Sequence, residues 1–119
     1  MYAVIFEVEI EPEQQADYLR LASALAEQLQ QIDGFISIER FQSLKHAGKL
    51  LSLSFWRDQE AIQQWRNLAE HRQAQQLGRQ AIFRDYRLRV VEVMRDYGMF
   101  ERHQAPADSL QIHTQKTPS

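Results

Sequence analysis

Along "YAVIFEVEI", residues 2–10, apolar and polar side chains alternate. Tyr2, Val4, Phe6, Val8 and Ile10 share one side, with Ala3, Ile5, Glu7 and Glu9 on the other. A period of two carried by β-branched and aromatic residues predicts a strand. The period then lengthens. In "EPEQQADYLRLASALAEQLQQIDG" the stripe Leu19, Ala22, Leu25, Ala26, Leu29 and Ile32 recurs at helical spacing. Pro12 suits the first helical position, Glu13 and Asp17 favour the positive end of the dipole, and Gly34 suits the stop. Two strand-like runs follow, "FISIERFQSL" and "KLLSLSFWR". The turn "KHAG" between them holds Gly48, which can take a positive φ, so they read as a hairpin. The next segment, "FWRDQEAIQQWRNLAEHRQAQQLGR", reads as a helix with Asp58 as its N-cap. In "DYRLRVVEVMRDY" the alternation returns, with Tyr86, Leu88, Val90 and Glu92 opposite Arg87, Arg89, Val91 and Val93.

The order β-α-β-β-α-β is that of a ferredoxin-like α+β sandwich, a four-stranded antiparallel sheet with two helices on one face. Two helices cover one face only, yet the strands are apolar on both. Ile38 and Phe41 point opposite ways, as do Leu53 and Trp56, and Val90 and Val93. An apolar face of that size is unusual for a monomer. A homodimer, packed through the open sheet faces, is therefore expected. After Gly98 the composition turns polar, which divides the chain into a folded domain at 1–98 and a tail at 99–119. Two states of the tail stay open: disordered, or laid across the partner subunit with Leu110 and Ile112 as anchors.

Composition narrows the function classes. At 119 residues, with 44% hydrophobic and 25% charged, the chain is one ordinary globular domain. A formal charge of −2 gives no electrostatic reason to expect nucleic acid. No run approaches the roughly 18 apolar residues of a membrane span. The N-terminus has no basic region and turns acidic at once, so no signal peptide is read and a cytoplasmic location is expected. The absence of cysteine excludes disulfides, thiolate metal sites and thiol nucleophiles. Histidines 46, 71, 103 and 113 lack metal-ligand spacing, and no phosphate loop or hydrolase motif occurs.

Candidate chemistry concentrates on the second helix. At about 100° per residue, Ala61, Ile62, Leu68 and Ala69 fall within about 60° of Trp65, which makes Trp65 either a core residue or a pocket wall. His71 lies on the flank, about 120° away, a position that suits a solvated side chain or one bordering a pocket. Arg72 would point at the core. A buried unpaired arginine is very costly, so either the helix breaks near Glu70–Arg72 or Arg72 meets a carboxylate across an interface. Leu77 also leaves the stripe, in favour of a break. Glu7 and Glu9 are candidate paired carboxylates, or simple partners for arginines of the last strand. The arginines at 79, 84, 87, 89 and 95 are interleaved with acids, as on a salt-bridged face.

The run "SFWRDQEAIQQWRNLAEHRQAQQLGR…FRDYRLRVVEVMRDYG" resembles the antibiotic biosynthesis monooxygenase family of the dimeric α+β barrel superfamily. The most specific piece is Phe55-Trp56, the acidic cap, and Trp65 followed by Glu70-His71; the element order agrees over residues 2 to 97. The resemblance implies homodimers with a pocket between sheet and helices, and Trp65 at its wall. Some members oxygenate quinols or aromatic polyketides without metal or flavin. A base makes an electron-rich phenolate, which passes an electron to dioxygen in a dry pocket. The residues offered are His71 or Glu7 as base, Trp65, Phe41, Phe55 and Phe83 as walls for a small aromatic ligand, and Arg72 as anion partner. On that reading no cofactor is expected. The alternative is haem: the haem-degrading branch uses an Asn–Trp–His set, of which Trp65 matches, Gln75 replaces the ligating histidine, and Phe6 or Glu7 replaces the asparagine. A third possibility is a non-enzymatic ligand-binding dimer, if Phe41, Phe55, Trp65 and Phe83 fill the pocket themselves.

Overall fold

The computed structural model describes the backbone of residues 1–76 and 83–109, and their side chains except at 69–76. Strand β1 (Tyr2–Ile10) leads through a 3₁₀ turn (Pro12–Gln14) into helix α1 (Gln15–Leu29). Then come β2 (Phe35–Gln42), β3 (Lys49–Trp56), α2 (Gln59–Gln76) and β4 (Phe83–Glu92). The sheet order is β2-β3-β1-β4 with every neighbouring pair antiparallel, and the buried residues of both helices pack on one face. This is the expected ferredoxin-like α+β arrangement. Its central pair, β1 and β3, brings the first and fourth elements of the β-α-β-β-α-β order together, and the second crossover then sets β4 on the other edge of β1.

Local signals were realised unevenly. Asp58 caps α2 as expected: its Oδ1 accepts the Ala61 N–H at 2.9 Å. The Arg57 guanidinium beside it, and then that Ala61 N–H, hold the Asp58 carboxyl below its ordinary value. Pro12 opens the 3₁₀ turn. The apolar stripe of α1 starts one residue early, with Tyr18 buried and Leu19 turned outward. The helix ends at Leu29 rather than at Gly34. Residues 30–33 make a turn, and Gly34 takes φ +97° beyond it. There its carbonyl accepts the Arg57 N–H at 2.7 Å, and an added Cβ would sit 2.9 Å from the Ala61 Cβ. Glycine is thus required where the β2 entry meets the start of α2. Gly48 does not use a positive φ. Its carbonyl accepts the Ile10 N–H at 3.0 Å, and the close approach of the two backbones leaves 3.1 Å to the Ile10 carbonyl for a Cβ. Helix α2 runs unbroken to Gln76, so no break occurs at Glu70–Arg72. The side chains of His71 and Arg72, and all of Leu77, lie outside the described residues.

On the open face the rows read Ser37–Phe55–Ala3–Val91, Glu39–Leu53–Ile5–Arg89 and Phe41–Leu51–Glu7–Arg87 across the four strands. Glu7 pairs there with the diagonal neighbours Arg89, at 2.7 Å, and Lys49, at 3.5 Å. The hydrogen bond from Arg89, and more weakly the Lys49 ammonium, hold the Glu7 carboxyl below its ordinary value of 4.5. The chain leaves β4 through Val93, whose N–H donates to the Met1 carbonyl at 2.9 Å. Beyond it, the Asp96 N–H donates to Gln104 Oε1 at 2.8 Å, and Arg102 Nη1 donates to the Gly98 carbonyl at 3.0 Å. These bonds cross the boundary expected at residue 98; Leu110 and Ile112 lie outside the described residues.

Two outcomes follow for stability. Gly34→Ala should cost about 1–2 kcal/mol or more in urea unfolding, from left-handed backbone strain plus the Ala61 collision. Gly98→Ala, with open space around its Cβ, should leave the midpoint unchanged. Because folding lowers the Glu7 pKa, its ion pairs contribute fully above 4.5 and fade as pH falls through the folded value. Wild type should therefore exceed Glu7→Gln in stability at neutral pH, and the gap should narrow as pH falls below 4.5.

Candidate functional site

On the helix side of the sheet, the row Ile38–Ser54–Val4–Val90 is followed by Arg40–Ser52–Phe6–Leu88, and then by Gln42–Leu50–Val8–Tyr86. The core over these rows is not continuous. One cluster gathers Val4, Leu29, Trp56, Ala61 and Ile62, with Trp65 packed against it. A second gathers Val8, Ile10, Tyr18, Ala22 and Leu50, with Phe6 and Phe83 against it. Between them β3 presents buried Ser52 and Ser54, where a packed sheet would carry branched apolar residues. Ser54 Oγ accepts the Trp56 indole N–H at 2.8 Å, which satisfies the one polar atom of a fully buried tryptophan. Ser52 is left in the middle of the polar seam.

Aromatic rings bound the seam from both ends. Trp65 lies 5.9 Å from Trp56, tilted by 50°, and Trp56 meets Phe35 edge-on at 5.2 Å. At the other end Phe83 packs edge-on against Phe6 at 5.8 Å and Tyr18 at 5.6 Å, and lies 6.1 Å from Tyr86. Each ring pair is held by burial plus quadrupole preference, which fixes the walls better than aliphatic packing would. The β4 side stays open: Tyr86, Leu88 and Val90 keep 61%, 40% and 48% exposure although they face the helix side. At the β2 edge, Arg40 reaches under α1. Its Nη2 is 3.5 Å from the Ala22 carbonyl, and its Nε is buried with no hydrogen-bond partner.

The residues singled out from sequence divide between the two faces. Trp65 and Phe83 are on the helix side, at opposite ends of the seam. Glu7, Phe41 and Phe55 are on the open face, so they cannot share a pocket with Trp65. Glu7 and Phe41 instead line a shallow depression of about 280 Å³ with Lys49 and Leu51. Glu7 is also a poor base there, because Arg89 and Lys49 stabilise its anion. His71 and Arg72 stand on α2, with side chains outside the described residues. Among the described residues no group of His, Cys, Asp or Glu is arranged to hold a metal ion, and no helix is long and apolar enough to cross a membrane. Sequence reasoning missed Arg40, Ser52 and Tyr86. The signal for Arg40 was present, since alternation in "FISIERF" places it on the same side as Ile38.

Comparison with known proteins agrees with this architecture. The family profile described as antibiotic biosynthesis monooxygenase matches residues 1–77. A jasmonate monooxygenase of Pyricularia oryzae is 47% identical over 93 residues, which are 78% of this chain and 43% of that protein. The chain thus spans less than half the length of this relative. Among solved structures, the haem degrader MhuD from Mycobacterium tuberculosis aligns with a TM-score of 0.62 at 20% identity, over 82% of this chain and all of that one. SnoaB, a cofactor-independent oxygenase from Streptomyces nogalater, aligns with a TM-score of 0.64 at 9% identity, over 80% of this chain and 94% of its own. At those identities the two structures speak for the fold alone. The profile match over the first strand, both helices and the hairpin establishes that this chain belongs to the antibiotic biosynthesis monooxygenase family.

Proposed function

We propose that the seam between sheet and helices is a substrate cleft, in which the protein oxygenates a small organic molecule without a resident cofactor. The discontinuity of the core at Ser52 and Ser54 carries this reading, because a protein whose helix side served only stability would close it with apolar side chains. The chemistry balances without a cofactor when the substrate supplies the electrons. Deprotonation gives an electron-rich anion, which reduces dioxygen; a CH₂ activated by phenolic rings becomes C=O, and the second oxygen atom leaves as water. Trp65 and the Phe83 cluster are the walls, and His71 on α2 is the base. The jasmonate relative widens the panel from quinols and phenols to small organic acids. Haem fits less well: the chain has no cysteine, and Gln75 stands where the resemblance puts the ligand.

The open face completes the assembly. We infer that two copies pack through it, since Phe41 and Val91 keep 44% and 38% exposure beside half-buried Leu51, Leu53 and Phe55.

Oxygen uptake with quinols, anthrones, jasmonate and methyl jasmonate tests the catalytic reading. His71→Ala should lower the rate on an active substrate by about 10²-fold or more, and Trp65→Phe by roughly tenfold. Unchanged rates in both variants would remove these residues from the mechanism. A haem titration should leave the Soret band at the position of free haem, whereas a saturable shift would favour the haem reading. Light scattering should give twice the 14.1 kDa chain mass, falling to one chain in Leu53→Asp with its circular dichroism intact.

A further inference from the structure

Arg40 lies on the helix side of the sheet with a buried side-chain nitrogen that no acceptor meets. It sits on β2 opposite Ser52, in the row that separates the two apolar clusters. Among the described residues it forms no ion pair. Its Nη2 makes a single long contact, 3.5 Å, with the Ala22 carbonyl of α1, and its Nε is enclosed without an acceptor. The side chain is part-buried, so the cost falls on that enclosed Nε–H, a donor shut away from water with no acceptor. A helix carbonyl at the limit of hydrogen-bond distance is a poor substitute, because that oxygen already belongs to the helix ladder. The acids nearest in sequence are no help: Glu39 is on the open face by strand alternation.

Geometry points the same way. The row from Arg40 through Ser52 and Phe6 to Leu88 crosses three strand spacings, about 14 Å, enough to hold a carboxylate at one end and an apolar body along the row. One end carries a planar cation with a serine hydroxyl beside it. The other end is aromatic and opens at Tyr86 and Leu88. A fixed planar fork matches a carboxylate better than a lysine would.

We propose that Arg40 is the anchor for a substrate carboxylate, so that the cleft selects organic acids over their neutral esters. The proposal names the substrate class of the cleft inferred above and rests on that cleft being a binding site, though not on its being catalytic. The purely structural alternative is that Arg40 ties β2 to α1.

Binding separates the two. Tryptophan fluorescence, with Trp65 and Trp56 beside the seam, is titrated with jasmonate and with methyl jasmonate on the full chain. Wild type should bind the acid at least tenfold more tightly than the ester. Arg40→Met should reduce that preference to within twofold while leaving ester binding unchanged. Arg40→Lys should keep part of the preference, and it decides the matter if Arg40→Met fails to fold. No saturable binding of the acid, equal affinity for acid and ester in wild type, or a preference that survives in a folded Arg40 variant without weakening would each overturn the proposal. An acid preference that depends on Arg40 without oxygen uptake would uphold the anchor and sink the oxygenase reading. Equal turnover of acid and ester would do the reverse.

Discussion

Alternation along β3 is the constraint on which both sides of the molecule depend. Leu50, Ser52, Ser54 and Trp56 face the helices, and Lys49, Leu51, Leu53 and Phe55 face away. β3 pairs on both edges, so a slip of one residue would exchange these sets and put Trp56 in water. The Trp56 indole, wholly buried and bonded to Ser54, opposes that slip at the strand's end. Once the register is set, the serines necessarily lie under the helices. The polar seam and the split core are consequences of the same alternation that builds the sheet.

The order of elements was legible because it depends on period and on local caps. β1 and β4 show a period of two, α1 a period near 3.6, and Asp58 stands where a helix must be capped. The side of the sheet that receives the helices was harder to read. Periodicity states which residues share a face, and when both faces are apolar it does not state which of them is covered. Phe41 and Phe55 were therefore grouped with Trp65 on chemistry, although β-strand alternation sets Phe55 apart from its neighbour Trp56. Gly34 and Gly48 illustrate a second limit. Gly34 is needed and Gly48 sits in a tight fit, but the demands come from Ala61 and from the Ile10 backbone, which are distant in sequence. Arg72 illustrates a third: a pattern that fails inside a helix need not break the helix, and α2 continues to Gln76.

Candidate chemistry was legible in proportion to how unusual each residue looked in isolation. Tryptophan and histidine attract notice anywhere; a serine in a strand or an arginine in a polar stretch does not. Ser52 and Arg40 become conspicuous only after pairing places them side by side on the helix side of the sheet. Glu7 moved the opposite way, from a candidate base to one member of an ion-pair ladder, because its partners on β3 and β4 are set by register.

A sheet with two unequal faces also bears on how one fold hosts different oxidations. The open face carries Glu7, Lys49 and Arg89 among apolar residues, a combination suited to holding a second copy in one orientation, since charge pairs fix register while apolar area supplies affinity. None of that touches the helix side. On the proposed reading, substitutions at Phe6, Arg40 or Ser52 would alter what the cleft accepts while leaving the open face unchanged. In this chain those positions are aromatic, cationic and hydroxylic, and none provides an imidazole or thiolate. A cation beside a hydroxyl is the chemistry that holds and orients an organic anion, which is why the proposed anchor and the proposed cleft stand or fall on separate measurements.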